Sequence, residues 1–147
     1  MKARVLLLLV TTVLVFSLIV VGAYVTAANA GGACGSAIGS DYPLCQGHIF
    51  PPLQAAAMAE WSHRVLASLS ALFLFVTTFL YWRAKDPRPL VRRSLYAATI
   101  LIIFEIILGA AVVLTVEPAW LVTLHQADAI LIFGFTAVAS ATALSER

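Results

Sequence analysis

Charged residues are scarce in this sequence. Only 11% of its 147 residues are charged, 62% are hydrophobic, and the formal net charge is +2. Because a soluble domain is typically about one-quarter charged and about half apolar, the composition excludes an ordinary soluble domain. The small net charge gives no basis for a nucleic-acid-binding surface, and the length suits a single domain.

Charges are almost absent from four long stretches, each of which has the roughly 20 residues that a helix needs to cross a bilayer. Each crossing must be helical, because lipid offers backbone N–H and C=O groups no hydrogen-bonding partner. The sequence therefore predicts an all-α integral membrane protein, a single domain over 1–147. Its transmembrane helices are expected at about 5–28, 55–82, 93–115 and 120–143, with a long loop at 29–54.

The first apolar stretch also allows a second interpretation. Lys2 and Arg4 before it, and the Ala-Asn-Ala sequence at 28–30 after it, are typical of a cleavable signal peptide. The apolar core of a signal peptide has about 7–15 residues, and this run is longer. The length therefore favours a membrane helix.

Basic residues are unevenly distributed among the connections. The loop 29–54 and the connection 116–119 contain no Lys or Arg, whereas the N-terminus and the connection between helices 2 and 3 are basic. The excess of Lys and Arg in cytoplasmic loops predicts cytoplasmic N- and C-termini and an extracytoplasmic loop 29–54, in a multi-pass protein of the cell membrane. The basic residues of these two regions are Lys2, Arg4, Arg83, Lys85, Arg88, Arg92 and Arg93, and Arg147 ends the sequence.

There are only two cysteines, Cys34 and Cys45, and both lie in the loop 29–54. Outside the cytoplasm disulfides form and persist, so a bridge between them would close a small loop. Such a bridge is either a structural staple or a redox-active pair. The lack of a C-x-x-C arrangement disfavours the redox alternative.

Histidine is also rare. His48 lies in the long loop, and His63 and His125 lie in predicted helices 2 and 4. At a rise of 1.5 Å per residue, both helical histidines lie roughly 8–12 Å below the same membrane boundary. Either histidine alone is explained by a packing role, but two imidazoles at equal depth can face each other across a planar ligand. The pair therefore predicts a heme site, since heme iron takes histidine ligands and bundle cores house such cofactors.

Four other ionisable residues lie in the predicted helices, where charge is costly and usually functional. Glu60 shares a helix face with His63 and is either a proton acceptor or the hydrogen-bond partner that orients the ring. Arg64 either binds a heme propionate or extends to the surface. Glu105 and Asp128 pair with each other or with polar neighbours, and no role is assigned to them.

A short internal repeat is visible at the outer ends of helices 1 and 3. The sequence Gly-Ala-Tyr-Val at 22–25 is similar to Gly-Ala-Ala-Val at 109–112. Each is followed by a loop and then by a helix with an early histidine. The pattern predicts two helix-pair repeats related about an axis along the membrane normal, as in some transporters.

Several stretches together resemble the heme A synthase family (CtaA), and the resemblance covers most of the chain. The loop is similar to the family's cysteine loop, and helix 2 is similar to its Glu-aromatic-x-His-Arg motif. Helices 3 and 4 match its third and fourth helices. The residues are Cys34 with Asp-Tyr-Pro-Leu-Cys-Gln-Gly at 41–47, Glu-Trp-Ser-His-Arg at 60–64, Leu-Gly-Ala at 108–110 and Leu-His at 124–125.

The resemblance implies an oxidoreductase that converts a ring methyl of heme O to a formyl group, giving the heme A of terminal oxidases. It implies heme b as the iron-containing cofactor. It also implies that Glu60 is catalytic, that His63 and His125 are axial ligands of heme iron, and that Cys34 and Cys45 form a disulfide over the site.

Typical members of that family have eight helices in two similar halves with four histidines. This chain resembles one half alone, like short members found in some archaea. Either a homo-oligomer supplies both heme sites or one bundle serves both, and the frequency of symmetric oligomers favours the first. The predicted partners are the substrate heme O, a membrane electron acceptor and heme O synthase.

Other functions fit part of the pattern. The main alternative is a b-type electron-transfer heme protein without heme-modifying activity, and another is a heme carrier or assembly partner. A quinone-linked thiol oxidant needs a C-x-x-C relay, which the sequence lacks. A di-iron carboxylate bundle needs two Glu-x-x-His motifs, and the sequence has one, at 60–63.

Overall fold

Four helices account for most of the structure, a computed structural model that describes residues 3–38 and 41–145. All four are long and apolar enough to cross a membrane. The described residues contain no β-strand, only an isolated bridge between Cys45 and His48. The prediction of an all-α four-helix membrane bundle is therefore confirmed. The helices are α1 (Ala3–Ala27), α2 (Ala55–Arg83), α3 (Pro89–Leu114) and α4 (Ala119–Ser145).

The start of α3 differs most from the sequence-based bounds. The helix begins at Pro89 rather than near 93. Proline is favoured at the first helical position, since its ring presets φ and the missing N–H would have no intrahelical partner there. Arg92 and Arg93 therefore lie within the first two turns of the helix rather than in the connection.

Each helix packs against two of the others. Both α1 and α3 pack closely against α2 and α4, and within the helices as bounded above no Cα atoms come within 8 Å of each other between α1 and α3 or between α2 and α4. The helices thus stand at the corners of a square, with α2 and α4 on one diagonal. The two helices that carry the membrane-embedded histidines face each other across the bundle axis.

The outer surface of the bundle is apolar. Side chains such as Val13, Phe16, Ile100 and Ile107 are at least half exposed. Monomeric soluble proteins rarely expose large continuous apolar patches, whereas a surface in contact with lipid requires them. This pattern agrees with four membrane-spanning helices.

Hydroxyl pairs join the helices in the half of the bundle away from the histidines. Each pair lies at 2.8 Å and links a different pair of helices, α1 to α2, α1 to α4 and α2 to α3. Such interhelical hydrogen bonds contribute on average about 0.6 kcal/mol each in a membrane protein. The pairs are Thr11 with Thr77, Thr12 with Ser140, and Thr78 with Thr99.

A buried carboxylate ties the helices together at the end that carries the connection 84–88, here called the basic end. Asp86 accepts hydrogen bonds from Nε and Nη2 of Arg88, both at 2.8 Å, and lies 3.7 Å from Nη1 of Arg4. Arg88 also donates to the backbone oxygen of Ala143 in α4, at 3.1 Å. The hydrogen bonds from Arg88 hold the pKa of the Asp86 carboxyl below its ordinary value.

Candidate functional site

The opposite end of the bundle carries residues 28–38 and 41–54, here called the disulfide loop. Cys34 and Cys45 are bonded within it, with 1.96 Å between the sulfurs, and both are buried. The backbone N–H of Gln46 donates to the oxygen of Cys34 at 3.1 Å. The predicted disulfide is confirmed, and it lies directly over the start of α2.

Glu60 lies beneath this disulfide, in the second turn of α2, and is only 3% exposed. Its Oε2 accepts a hydrogen bond from the backbone N–H of Cys34, with 2.6 Å between nitrogen and oxygen. Its Oε1 pairs with Nη2 of Arg64. The carboxylate therefore joins the loop to the helix and makes no hydrogen bond to the ring of His63, the orienting role that the sequence left open.

Arg64 holds the other side of the disulfide loop. Its Nη1 donates to the backbone oxygens of Pro43 and Leu44, at 3.1 and 3.0 Å. Its guanidinium lies over the ring of Tyr42, 5.1 Å from the ring centroid. The Glu-Trp-Ser-His-Arg segment of α2 and the cysteine loop, separate in the sequence, thus form one contact surface. The suggested contact of Arg64 with a heme propionate stays a prediction.

His63 lies one helical turn deeper than Glu60 and packs against α1. A Cβ atom on Gly22 would lie only 3.0 Å from Cε1 of the His63 ring, so the ring occupies space that the glycine leaves open. Nδ1 of His63 is buried and has no hydrogen-bond partner in the described part of the chain.

His125 has the matching position on α4. A Cβ atom on Gly109 of α3 would lie 3.1 Å from Cε1 of its ring. These two glycines are the first residues of the repeated Gly-Ala segments, so each repeat packs its histidine against its own glycine. The internal repeat in the sequence thus has a structural counterpart, and the two imidazoles lie at a similar depth on diagonal helices.

Glu105 also belongs to the site, although the sequence analysis assigned it no role. Its Oε2 lies 3.1 Å from Nδ1 of His125, and Asp128 lies beside it. Both carboxylates are 6% exposed. The sequence did indicate that Glu105 and Asp128 are neighbours, because they lie at equal distances along the chain from the middle of the connection 115–118. In a hairpin of two antiparallel helices, such positions come to the same level.

These residues fit a heme better than a polynuclear metal site. Two imidazoles on diagonal helices, each beside a glycine, provide the ligand type that heme iron takes. Nδ1 of His63 is buried and has no hydrogen-bond partner among the described residues, so the ring is not held there as an ordinary hydrogen-bonded packing residue. Over 3–38 and 41–145, no three His, Cys, Asp or Glu side chains converge in a metal-binding arrangement. His48 lies exposed in the loop.

Curated proteins similar to this chain are heme A synthases. The heme A synthase of Bacillus pumilus is 30% identical over 131 residues, which cover 87% of this chain and 41% of that protein. For Symbiobacterium thermophilum the identity is 29% over 135 residues, covering 92% and 43%. For Maricaulis maris it is 32% over 132 residues, covering 82% and 37%. The chain thus spans about two fifths of the length of the curated relatives that it matches.

No solved structure is significantly similar to the chain. The sequence profile of the COX15-CtaA family, described as cytochrome oxidase assembly protein, matches residues 1–137. That match covers all four helices up to the last turns of α4, and the chain belongs to the COX15-CtaA family of cytochrome oxidase assembly proteins.

Proposed function

We propose that this chain acts as a heme A synthase. In this proposal His63 and His125 would hold a heme between α2 and α4 as ligands of its iron, and heme O would be oxidised to heme A. The observation that carries the proposal is the pair of imidazoles at matching depth on diagonal helices, each held against a glycine. The names of the similar curated proteins support the same reaction.

The reaction sets demands that the site must meet. Converting a ring methyl to a formyl group adds one oxygen atom, and with water as its source the change releases four electrons and four protons. A bound heme supplies the redox chemistry. The chain must therefore hold the heme, accept protons near the ring edge and pass electrons to a membrane electron acceptor.

Glu60 is the proposed proton acceptor. It is a buried carboxylate one helical turn from His63, on the side of the disulfide loop. The hydrogen bond from Cys34 and the ion pair with Arg64 fix the positions of its two oxygens. A fixed carboxylate next to the ligand histidine suits general-base chemistry, which needs the base within hydrogen-bonding reach of the proton that it removes.

A second copy of the chain is the proposed source of a second heme site. One bundle holds one histidine pair, whereas the reaction uses a substrate heme and a heme b through which electrons leave. Closed symmetric homo-oligomers are common, and two such bundles would provide both sites. Heme O synthase, which makes the substrate, is the proposed donor of heme O.

The proposed orientation puts the basic end in the cytoplasm and the disulfide loop outside. The uneven distribution of Lys and Arg supports it. Ile38 in the loop and Ala84 at the basic end are both exposed, so each can carry a single added cysteine. A membrane-impermeant maleimide applied to intact cells should label Ile38→Cys and not Ala84→Cys. Labelling of Ala84→Cys and not of Ile38→Cys would show that the orientation is the opposite of the one proposed.

One observation favours a b-type electron-transfer protein as the second candidate. Both oxygens of Glu60 already have partners in the loop and in α2, as expected for a residue that only holds the structure together. In that case the histidines would bind heme b permanently and no heme would be modified.

The deciding experiment expresses the chain in a host that makes heme O but no heme A, followed by extraction and identification of the bound hemes. Heme A is expected with the native chain and not with Glu60→Gln. Glu117→Gln is the matched control, since Glu117 is a carboxylate at the same end that packs against Gly31; it should still yield heme A.

Two outcomes would contradict the proposal. Heme B alone, whether or not Glu60 is intact, would identify an electron carrier. A bound-heme absorption spectrum that survives both His63→Ala and His125→Ala would remove the ligand assignment.

A further inference from the structure

The two site histidines differ in what lies beside the second ring nitrogen. Nδ1 of His125 lies 3.1 Å from Oε2 of Glu105. Nδ1 of His63 is buried with no partner in the described chain. The glycine contacts of the two rings are nearly the same, so the carboxylate on α3 is what breaks the symmetry of the two repeats.

Among the described residues, Oε2 of Glu105 and Nδ1 of His125 have no hydrogen-bond partner. Both Oε2 and Nδ1 are buried, and at 3.1 Å they are in contact without the alignment of a hydrogen bond. A buried polar atom without a partner costs about 1–3 kcal/mol, and each of these two atoms can relieve the other. An Nδ1–H directed at Oε2 would satisfy both.

We propose that Glu105 is a positioning residue for His125: its carboxylate accepts the Nδ1–H of the ring, which would leave Nε2 as the nitrogen available to heme iron. This inference rests on the proposed function, in which His125 is an axial ligand. Histidines that bind metals usually donate their other N–H to a carboxylate or carbonyl, which fixes the tautomer and makes the ring a stronger donor. His63 has no such partner, so the two axial ligands are unequal.

An unequal pair has a consequence for electron transfer. A carboxylate hydrogen-bonded to an iron ligand increases electron donation to the iron and favours its oxidised state, and such hydrogen bonding is one of the means by which a protein tunes heme potential. A site of low potential gives up electrons readily. Glu105 would therefore favour departure of electrons from the heme held by this bundle.

The test uses the full-length chain reconstituted with heme b and measures the reduction potential and the equilibrium affinity for heme. Glu105→Gln keeps an acceptor oxygen and removes the charge, so it should retain heme and raise the potential. Glu105→Leu removes the acceptor as well, and heme affinity should fall about 10- to 100-fold, the usual effect of losing such a partner. Glu105→Asp should restore part of both properties.

Asp128→Asn is the matched control. Asp128 is as buried as Glu105 and lies beside it, but the carboxylate at 3.1 Å from the His125 ring is that of Glu105. It should change the potential less than Glu105→Gln. Since Glu105→Gln is nearly isosteric, it remains informative even where Glu105→Leu fails to fold.

The inference and the proposed function fail in different ways. A bound-heme spectrum that survives His125→Ala would overturn the function and the inference with it. If His125→Ala abolishes the spectrum while Glu105→Gln leaves the potential and Glu105→Leu leaves the affinity unchanged, the ligand assignment stands and the role of Glu105 is wrong.

Discussion

The carboxylate of Glu60 accepts a hydrogen bond from the backbone N–H of Cys34, across 2.6 Å. A disulfide loop is thereby attached to the helix that carries His63. Because the acceptor is a charged side chain and the donor a backbone group, the attachment depends on Glu60 and on the position of Cys34 rather than on the cysteine sulfur. Losing the carboxylate and losing the disulfide should therefore have separate effects.

Replacing Glu60 by Ala should release the disulfide loop. The Cys34 N–H and the Arg64 guanidinium would both lose a partner, and an unpaired buried polar group costs about 1–3 kcal/mol. Limited proteolysis in detergent should cleave the loop of Glu60→Ala faster than that of the native chain. Glu60→Gln, which keeps an acceptor oxygen, should lie between them, and equal cleavage of all three would show that the carboxylate does not hold the loop.

Replacing Cys34 and Cys45 together by Ser should lower stability without fully releasing the loop. The disulfide closes a loop with a sequence separation of 11, and a loop of this length is expected to contribute roughly 3 kcal/mol. The backbone N–H of residue 34 can still donate to Glu60. Thermal unfolding should therefore show a lower midpoint, while the loop stays more protected from protease than in Glu60→Ala. The opposite order of protection would refute this.

Replacing Gly22 or Gly109 by Ala should disturb the histidine beside it. The added Cβ would lie 3.0 or 3.1 Å from the ring, and overpacking of this kind costs typically about 1–3 kcal/mol. Heme titration should show weaker binding in both variants. Gly134→Ala is the control, because nothing lies within 4 Å of its added Cβ and alanine favours helix by up to about 1 kcal/mol. An equal effect at all three glycines would argue against the ring contacts.

Replacing Asp86 by Asn should destabilise the basic end. Hydrogen bonds to charged groups contribute about 1.5–3 kcal/mol, and Arg88 and Arg4 both contact this carboxylate. Thermal unfolding at neutral pH should show a lower midpoint for Asp86→Asn. Asp41→Asn, at an exposed position in the disulfide loop, is the control and should be close to the native chain.

The same carboxylate predicts a pH dependence of known sign. The folded-state pKa of Asp86 lies below its ordinary value of 3.8, chiefly because Arg88 donates hydrogen bonds to it. Its stabilisation is therefore present above about that ordinary value and is lost as the pH falls through the lower, folded-state pKa. The midpoint difference between the native chain and Asp86→Asn should shrink in that acidic range; a difference that grows would contradict the assignment.

Much of the architecture follows from the sequence alone. Four long apolar runs require four helices, because backbone groups in lipid must bond within their own segment. The depths of His63 and His125 follow from a fixed helical rise, and the distribution of basic residues suggests which end faces the cytoplasm. These properties depend on local composition and helix geometry, so they can be derived before any packing is known.

The partners of the charged side chains were decided by tertiary structure. The sequence put Glu60 on the face of His63, yet the carboxylate accepts the N–H of Cys34 in the folded-back loop and pairs with Arg64, one turn further along α2. It left Glu105 without a role, and the packing of α3 on α4 put it against His125. Helix periodicity fixes which residues share a face, but the choice of partner depends on how helices and loops pack. Buried polar atoms must find partners there, and Cys34 and His125 lie far in the sequence from the carboxylates that they meet.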